Sequence, residues 1–279
     1  MIRIGEYQTL TIKREKPQGF YLEDAAGNEV LMPRTYISDD MEIDDEIEVF
    51  VYCDSDDRNI ATTEKPLLTV GQFAYLQVKD VNKIGAFCEW GVLKELFIPF
   101  RNQAAKMRPG RSYVVHMFID EISHRLVGST KLKDFLKQAA DEHIQMGQEA
   151  DLLVYSENDV GYPVIIDQTY AGLVYKNEVH KPLSPGQQCK GYIKPIREDG
   201  KIDVSLFPIG YQSIEPNAQK IMDKLERNGG FLPYTDKSDP DLIKEEFGIS
   251  KKLFKKSLGA LYKQQLILLK EDGIYKTKA

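Results

Sequence analysis

The sequence lacks the features that would place it in a membrane or in an oxidising compartment. Its apolar runs are short pieces such as YVVHMFI (113–119), well below the ~18 residues that a membrane-spanning helix needs. The segment MIRIGEYQTL alternates apolar and polar positions, which is not the pattern of a signal peptide. The three cysteines have no CxxC spacing, so neither a disulfide framework nor a zinc site is predicted. We therefore expect a soluble, multidomain protein of the cytoplasm.

Catalytic and cofactor motifs are also missing. The sequence has no GxxxxGK[ST] phosphate loop, no GxSxG elbow and no HExxH, and its four histidines have no ligand spacing. The acidic stretch DSDD (54–57) lacks the glycine and the distal glutamate of a calcium loop, so it is interpreted as a solvated turn. The sequence predicts no enzyme, no cofactor and no metal site.

Positive charge is scarce in the first quarter of the chain and more frequent later. The formal net charge is −6, and Lys plus Arg number 7 against 16 carboxylates over residues 1–65. The same count is 11 against 8 over 66–146, 6 against 9 over 147–213, and 13 against 10 over 214–279. Because a polyanion responds to local charge, the second and fourth segments suit a nucleic-acid partner, whereas the acidic first segment suits a protein partner.

A pattern of short strands is repeated three times. The first copy contains GFYLED (19–24), EVLMP (29–33), EIEVFVYCD (46–54) and RNIATT (58–63). The second contains GAFCEW (85–90), ELFIP (95–99), SYVVHMFID (112–120) and RLVGST (125–130). The third contains GYPVII (161–166), GLVYK (172–176), QCKGYIKPI (188–196) and KIDVSL (201–206). With an opening strand in each (YQTLTIKR, FAYLQVKD, EADLLVYS), every copy has five strands, which is typical of an OB-fold barrel. The alternative is one β-sandwich with accidental internal similarity.

The rest of the sequence is helical in pattern. A stretch over 131–147, KLKDFLKQAADEHIQMG, predicts a helix that connects the second barrel to the third. Helices are also predicted over 214–228, over 240–247 after the N-cap Asp239, and after the N-cap Ser250; a hairpin with a turn at Asp272-Gly273 follows. Three helices and a hairpin predict a winged-helix domain. The predicted domains are 1–65, 66–146, 147–213 and 214–279, in a mainly β chain with a C-terminal α+β unit.

Exposed aromatic rings on a strand can stack on bases, each contributing ~1 to 3 kcal/mol. On GAFCEW, alternation places Ala86, Cys88 and Trp90 on one face and Phe87 with Glu89 on the other, so Phe87 is the first candidate. The other barrel candidates are Lys83, Lys94, Phe97, Arg101 and His116 in the second copy, and Tyr162, Tyr175, Lys176 and Lys194 in the third. The alternative is that Phe87 and Phe97 are core residues and that the cations are merely solvated.

In the winged helix, the third helix carries lysines opposite its apolar face. The apolar face contains Leu253, Phe254, Ser257, Leu258, Leu261 and Tyr262; the candidates for nucleic-acid contact are Lys252, Lys255, Lys256 and Lys263. Lysine binds phosphate well but reads base edges poorly, so this helix favours recognition of shape or of a single strand. The alternative is an ordinary solvated helix face.

The three repeats resemble the S1-type RNA-binding domain, whose pattern includes a GAFV-like strand and a GLVH-like strand. Here these are GAFC (85–88) and GLVY (172–175). Three such domains followed by a winged helix are similar to the conserved virulence factor B family of bacterial RNA-binding regulators, over nearly all of the chain. The resemblance implies single-stranded RNA as partner and a role in post-transcriptional or translation-related regulation.

The resemblance also implies which positions contact RNA. The aromatic of GAFV falls on Tyr21, Phe87 and Pro163 in the three copies, the histidine of GLVH on Met32, Ile98 and Tyr175, and the aromatic before GAFV on Gln18, Ile84 and Val160. No copy keeps all three, so we expect affinity to come from linked weak sites. Two other functions stay open: a DNA-binding transcription regulator that uses the winged helix, and a protein scaffold attached to ribosomes or polymerase through the acidic first barrel.

Overall fold

The computed structural model describes residues 1–179, 181–208, 216–263 and 265–277. It divides into two compact units. One comprises residues 1–144, 150–190 and 196–203, and so contains barrels one and two and most of barrel three. The other comprises residues 145–149, 191–195 and 204–279, and contains the C-terminal helices.

Each repeat forms five short strands. Barrel one has β1 (Tyr7–Lys16), β2 (Gly19–Glu23), β3 (Glu29–Pro33), β4 (Glu46–Cys53) and β5 (Asn59–Thr62). Barrel two has β6 (Phe73–Val81), β7 (Gly85–Glu89), β8 (Leu96–Pro99), β9 (Ser112–Ile119) and β10 (Leu126–Ser129). Barrel three has β11 (Glu149–Val154), β12 (Gly161–Ile166), β13 (Tyr170–Tyr175), β14 (Gln188–Ile193) and β15 (Ile202–Ser205).

The strand order is that of an OB-fold. Barrel one closes in the order β1-β2-β3-β5-β4, and barrel three closes in the equivalent order β11-β12-β13-β15-β14. Barrel two has the same order, β10-β9-β6-β7-β8, with β8 and β10 side by side but not paired in a ladder. In barrel one the corresponding closure is a parallel pair between Leu31 and Ile60. Three five-stranded barrels of this kind confirm the predicted fold class and exclude a single sandwich.

A glycine begins the second strand of every barrel for a steric reason. The pairings are Gly19 opposite Pro33, Gly85 opposite Pro99, and Gly161 opposite Tyr175. A Cβ on these glycines would lie 2.0, 2.3 and 2.2 Å from a main-chain oxygen of the neighbouring strand. No side chain fits at that distance, which explains why glycine recurs at this position of each repeat.

The junction between barrels one and two is aromatic. The Trp90 ring is buried and stands edge-on to Phe50 and Tyr52, with centroids 5.7 and 6.2 Å away. Its Nε1 donates a hydrogen bond to the carbonyl oxygen of Lys94 at 2.5 Å. This side chain from barrel two therefore shares a core with barrel one.

The predicted connecting helix over 131–147 is wrong. The structure has a single 3₁₀ turn at Leu132–Asp134, and the segment then runs along barrel three. There the Lys137 amide donates to Thr169 and the Lys137 carbonyl accepts from the Ala171 amide, at 3.0 and 2.9 Å. These main-chain groups pair with a strand and so are not available for helical hydrogen bonds.

The apolar residues that suggested a helix serve to join two barrels instead. Leu132 and Leu136 are buried in a cluster with Phe73 of barrel two and Leu153 and Ile165 of barrel three. The Gln168 side chain adds two hydrogen bonds to the Phe73 main chain, at 2.7 and 3.3 Å. Barrels two and three are thus fixed to each other by packing and by directed hydrogen bonds.

The C-terminal domain has the predicted three helices and hairpin, and in addition a short strand, β16 (Phe231–Leu232). The elements are α1 (Pro216–Arg227), β16, α2 (Pro240–Phe247), α3 (Lys251–Lys263), β17 (Ile267–Lys270) and β18 (Gly273–Lys276), with sheet order β16-β18-β17. The Asp239 carboxylate caps α2 by accepting from the Asp241 amide at 2.8 Å, and Gly248 ends it with φ 68°. The predicted start of the first helix at Ile214 lies outside the described residues. Among the described residues, no helix is long and apolar enough to span a membrane.

Candidate nucleic-acid interface

Two phenylalanine rings stack on the outer wall of barrel two. Phe87 on β7 lies directly opposite Phe97 on β8, with ring centroids 5.1 Å apart and planes inclined by 31°. Both rings are partly exposed, whereas Ala86 and Cys88 on the other face are fully buried. The predicted alternation of β7 is confirmed, and neither ring is a sealed core residue.

Two further apolar side chains extend this surface. Ile84 precedes β7 and is 59% exposed, and Phe100 follows β8 and is 44% exposed. The Phe100 amide donates to the Ile84 carbonyl at 3.3 Å, so the two residues are neighbours across the strand pair. We refer to Ile84, Phe87, Phe97 and Phe100 as the barrel-two wall. Phe100 was not among the predicted contact residues, although it directly follows the strand ELFIP (95–99).

The cations predicted near this wall differ in whether they already have a partner within the protein. Lys83 is exposed and forms no salt bridge with the described residues. Lys94 Nζ donates to the Asp54 carbonyl at 2.5 Å and so contacts barrel one. Arg101 pairs with Asp120 at 2.5 Å. Hydrogen bonds from Ser123, and to a lesser degree the Arg101 charge, hold the pKa of Asp120 below its usual value. Lys83 is therefore the predicted cation best placed to meet a phosphate.

His116 is not an interface residue, and that prediction is wrong. It is 6% exposed on β9, with its ring 4.4 Å from the Phe73 centroid and 4.1 Å from that of Phe135. Phe135 belongs to the 131–147 segment that joins barrels two and three, so the connection itself covers the imidazole. Among the described residues, Nδ1 has no hydrogen-bond partner. Burial lowers the pKa of His116 from 6.5 to about 4, against a smaller opposite effect of a hydrogen bond to the Gln72 main chain.

This burial predicts a stability that depends on pH. The unfolded chain binds the His116 proton near pH 6.5 and the folded chain near pH 4, so between these values the unfolded state holds more protons. The part of the free energy of unfolding that depends on a neutral His116 is fully present above pH 6.5 and is lost as the pH falls toward 4. Between pH 7.5 and 5.0, we expect the free energy of unfolding to fall by about 2 kcal/mol more in the wild type than in His116→Phe. Urea unfolding at both pH values measures this; equal losses in the two proteins would contradict it.

In barrel three, fewer of the predicted RNA-contact residues are accessible than the sequence suggested. Tyr162 is 4% exposed on the inner face of β12, so its prediction as a contact residue is wrong. Tyr175 is partly exposed, and its hydroxyl donates to Asp203 at 3.2 Å. Lys176 pairs with Glu157 at 2.6 Å, and this hydrogen bond raises the pKa of the Lys176 ammonium. Lys194 follows β14 and is partly buried.

The strand register corrects one of the implied equivalences. Tyr175 lies opposite Gly161, as Pro99 lies opposite Gly85, so Tyr175 corresponds to Pro99 and not to Ile98. Ile98 and its equivalent Met32 are fully buried, so neither is a contact residue. The positions that carry Phe87 and Phe97 in barrel two are occupied in barrel three by Pro163 opposite Leu173. The aromatic pair of barrel two has no counterpart there.

In barrel one the corresponding pair is Tyr21 opposite Leu31. The Arg14 guanidinium lies over the Tyr21 ring, 4.7 Å from its centroid, and Gln18 donates to the Tyr21 hydroxyl at 2.8 Å. One face of this ring is thus already occupied by a side chain of the same barrel. Barrel two is the copy in which paired aromatic rings remain accessible.

The lysines predicted on the winged helix lie on the exposed side of α3. They are Lys252, Lys255, Lys256 and Lys263. Lys255 is 3.5 Å from the Asp236 carboxylate. On the opposite side Phe254, Leu258 and Leu261 are buried in the domain core, but Tyr262 is exposed and was wrongly assigned to that side. The helix therefore presents a cationic surface.

Two family models match parts of this chain. Residues 4–64 match the S1 domain, and residues 219–275 match the CvfB-like winged helix domain. The chain is 27% identical to the protein YitL of Bacillus subtilis (strain 168), over 99% of this chain and 95% of the relative. It is 24% identical to conserved virulence factor B of Staphylococcus aureus (strain N315), over 99% of this chain and 94% of the relative. A solved multidomain protein with nucleic acid binding domains from Streptococcus pneumoniae is 25% identical, with a TM-score of 0.46 and 98% of each chain covered.

The fold and these matches define a protein built of three OB-type barrels, the first of which matches the S1 domain, and a winged helix; these are nucleic-acid-binding domain classes. The chain is similar, almost from end to end, to conserved virulence factor B of Staphylococcus aureus and to YitL of Bacillus subtilis.

Proposed function

We propose that this protein binds single-stranded RNA and acts as a post-transcriptional or translation-related regulator in bacteria. The observation that supports this most directly is the partly exposed stack of Phe87 on Phe97, with the exposed Lys83, which forms no salt bridge with the residues that the structure describes, close by in the chain. A base that stacks on such a ring gains ~1 to 3 kcal/mol, and a cation beside it interacts with the phosphate.

A single strand suits this surface better than a duplex. Bases in a double helix are stacked on each other, so a ring on a barrel wall has no access to their faces. Unpaired bases can turn outward and lie against Phe87 or Phe97. The choice of RNA over DNA rests on the S1-type domain class, and the RNA partner in turn places the protein in the cytoplasm. Binding, rather than catalysis, is the role that we assign to these domains.

Replacing Phe87 tests the assignment of the wall. We expect Phe87→Leu to weaken binding of a single-stranded RNA of about 12 nucleotides by ~1 to 3 kcal/mol, which is about 5- to 150-fold in Kd, because leucine keeps the apolar contact but not the ring face. Fluorescence anisotropy with labelled RNA and with competing duplex DNA measures both affinity and preference.

Phe87→Tyr is the matched control, since it keeps the aromatic ring at the same position; its affinity should stay within about twofold of the wild type. If Phe87→Leu binds RNA as the wild type does, the wall is not the RNA site. If duplex DNA competes better than single-stranded RNA, the proposed function itself is wrong.

A further inference from the structure

A cleft of about 810 Å³ opens between barrels two and three. Three tyrosines line it: Tyr75 on β6, Tyr113 on β9 and Tyr155 just after β11. None of the three is marked by a sequence motif, because their proximity arises from the way two barrels pack together. The volume lies within the ~300–1,000 Å³ of typical ligand sites.

Contacts within the protein restrict the movement of the three tyrosine rings. Tyr75 is 41% exposed, and one side of its ring rests on Gly186 of barrel three, where a Cβ would lie 2.2 Å from the ring. The Tyr113 hydroxyl accepts a hydrogen bond from the Arg108 amide at 3.2 Å. Tyr155 is partly buried, and this burial raises the pKa of its hydroxyl. Rings fixed in this way lose little conformational entropy when a ligand stacks on them.

The charge of the cleft is positive. Arg111, Lys131 and Lys133 line it, are exposed, and form no salt bridge with other residues that the structure describes. Of the two carboxylates in the lining, Glu157 is already paired with Lys176 at 2.6 Å, which leaves Asp134. Aromatic faces beside unpaired cations complement a strand of bases and phosphates.

The cleft and the barrel-two wall also share one sheet. The central strand β6 pairs with β7, which carries Phe87, and with β9, which carries Tyr113. Neighbouring β-strands lie ~4.8 Å apart. A single-stranded RNA that leaves the wall therefore reaches the cleft within a few nucleotides. Packing between Phe73 and Leu153 and the hydrogen bonds of Gln168 keep the two sides of the cleft in a constant arrangement.

We propose that this cleft is a second RNA subsite, in which about two nucleotides stack on the tyrosines while Arg111, Lys131 and Lys133 bind their phosphates. The inference rests on the RNA binding proposed above and deepens it. The wall and the cleft then act as two linked contacts for one RNA strand, and an RNA that reaches both binds more tightly than one that reaches the wall alone.

Photocrosslinking of the full chain to an oligouridine that contains 4-thiouridine distinguishes the two contacts. Trypsin releases Phe87 in IGAFCEWGVLK (84–94) and Tyr113 in SYVVHMFIDEISHR (112–125), so mass spectrometry assigns each crosslink to the wall or to the cleft. We expect both peptides to be labelled. Labelling of 84–94 without 112–125 would overturn the cleft and leave the proposed function intact. Absence of RNA binding by the wild type would overturn both.

The salt dependence of binding provides a second test. In the double variant Lys131→Gln/Lys133→Gln, we expect the slope of log affinity against log salt to fall by about 1.4, since each phosphate contact on a single strand contributes about 0.7. The matched control Lys13→Gln/Lys16→Gln removes the same charge from barrel one and should keep the wild-type slope. A cleft variant that behaves like this control would overturn the subsite, whether or not Phe87→Leu weakens binding.

Discussion

We expect the full chain with glutamine at Lys252, Lys255, Lys256 and Lys263 to bind a long single-stranded RNA about 10² to 10⁴ times more weakly than the wild type. These lysines form the exposed side of α3, while Phe254, Leu258 and Leu261 hold the helix in the domain core. If the winged helix and the barrels bind the same RNA molecule, binding at one of them raises the effective concentration of the RNA at the other. Removing the phosphate contacts of α3 then removes this advantage as well as the contacts themselves.

RNA length separates this effect from a loss of folding. An RNA of about 12 nucleotides, which fits a single OB-fold site, should bind the quadruple variant and the wild type equally. A control with glutamine at Lys220, Arg227, Lys237 and Lys244 removes four charges from the same domain outside α3. If the control loses as much affinity as the variant, net charge and not α3 is responsible. If selection from random duplexes recovers a preferred DNA sequence, the winged helix is instead a DNA reader.

Trp90→Ala should lower the free energy of unfolding of the barrel unit by about 3–5 kcal/mol, the usual cost of removing a buried large aromatic side chain. Trp90 packs edge-on against Phe50 and Tyr52 of barrel one while it belongs to barrel two. Its loss leaves a cavity between two barrels and removes the hydrogen bond to the Lys94 carbonyl. We therefore expect barrels one and two to lose stability together.

Circular dichroism during urea unfolding measures the change, because Trp90 is the single tryptophan and its variant loses the fluorescence signal. The matched control is Leu93→Ala, an exposed side chain in the turn that follows Trp90, which should stay within about 0.5 kcal/mol of the wild type. A cost for Trp90→Ala as small as that of the control would mean that the barrels do not depend on this junction.

Much of the fold follows from local patterns. The alternation of GAFCEW places Phe87 outward and Ala86 and Cys88 inward, as the structure has them. The recurring glycine marks a position in each barrel where a main-chain oxygen excludes a side chain. The same glycine also predicts the burial of Tyr162. The residue after it points inward in each copy, as Phe20, Ala86 and Tyr162 do.

Other features depend on contacts between barrels. The apolar spacing of Leu132 and Leu136 predicted a helix, yet these side chains fill the junction between barrels two and three. The same connection places Phe135 on His116 and covers an imidazole that alternation places on the outer side of β9. The cleft tyrosines and their cations come from separate segments and are assembled by the same packing.

The amino-acid sequence alone determines the three barrels, the winged helix and the outward direction of Phe87, because strand alternation, helix caps and the clash that requires glycine act over a few residues. Which outward side chains stay accessible is decided by tertiary structure. A strand face that is open in one barrel is closed when another barrel packs on it, and burial depends on partners that lie far away in the chain.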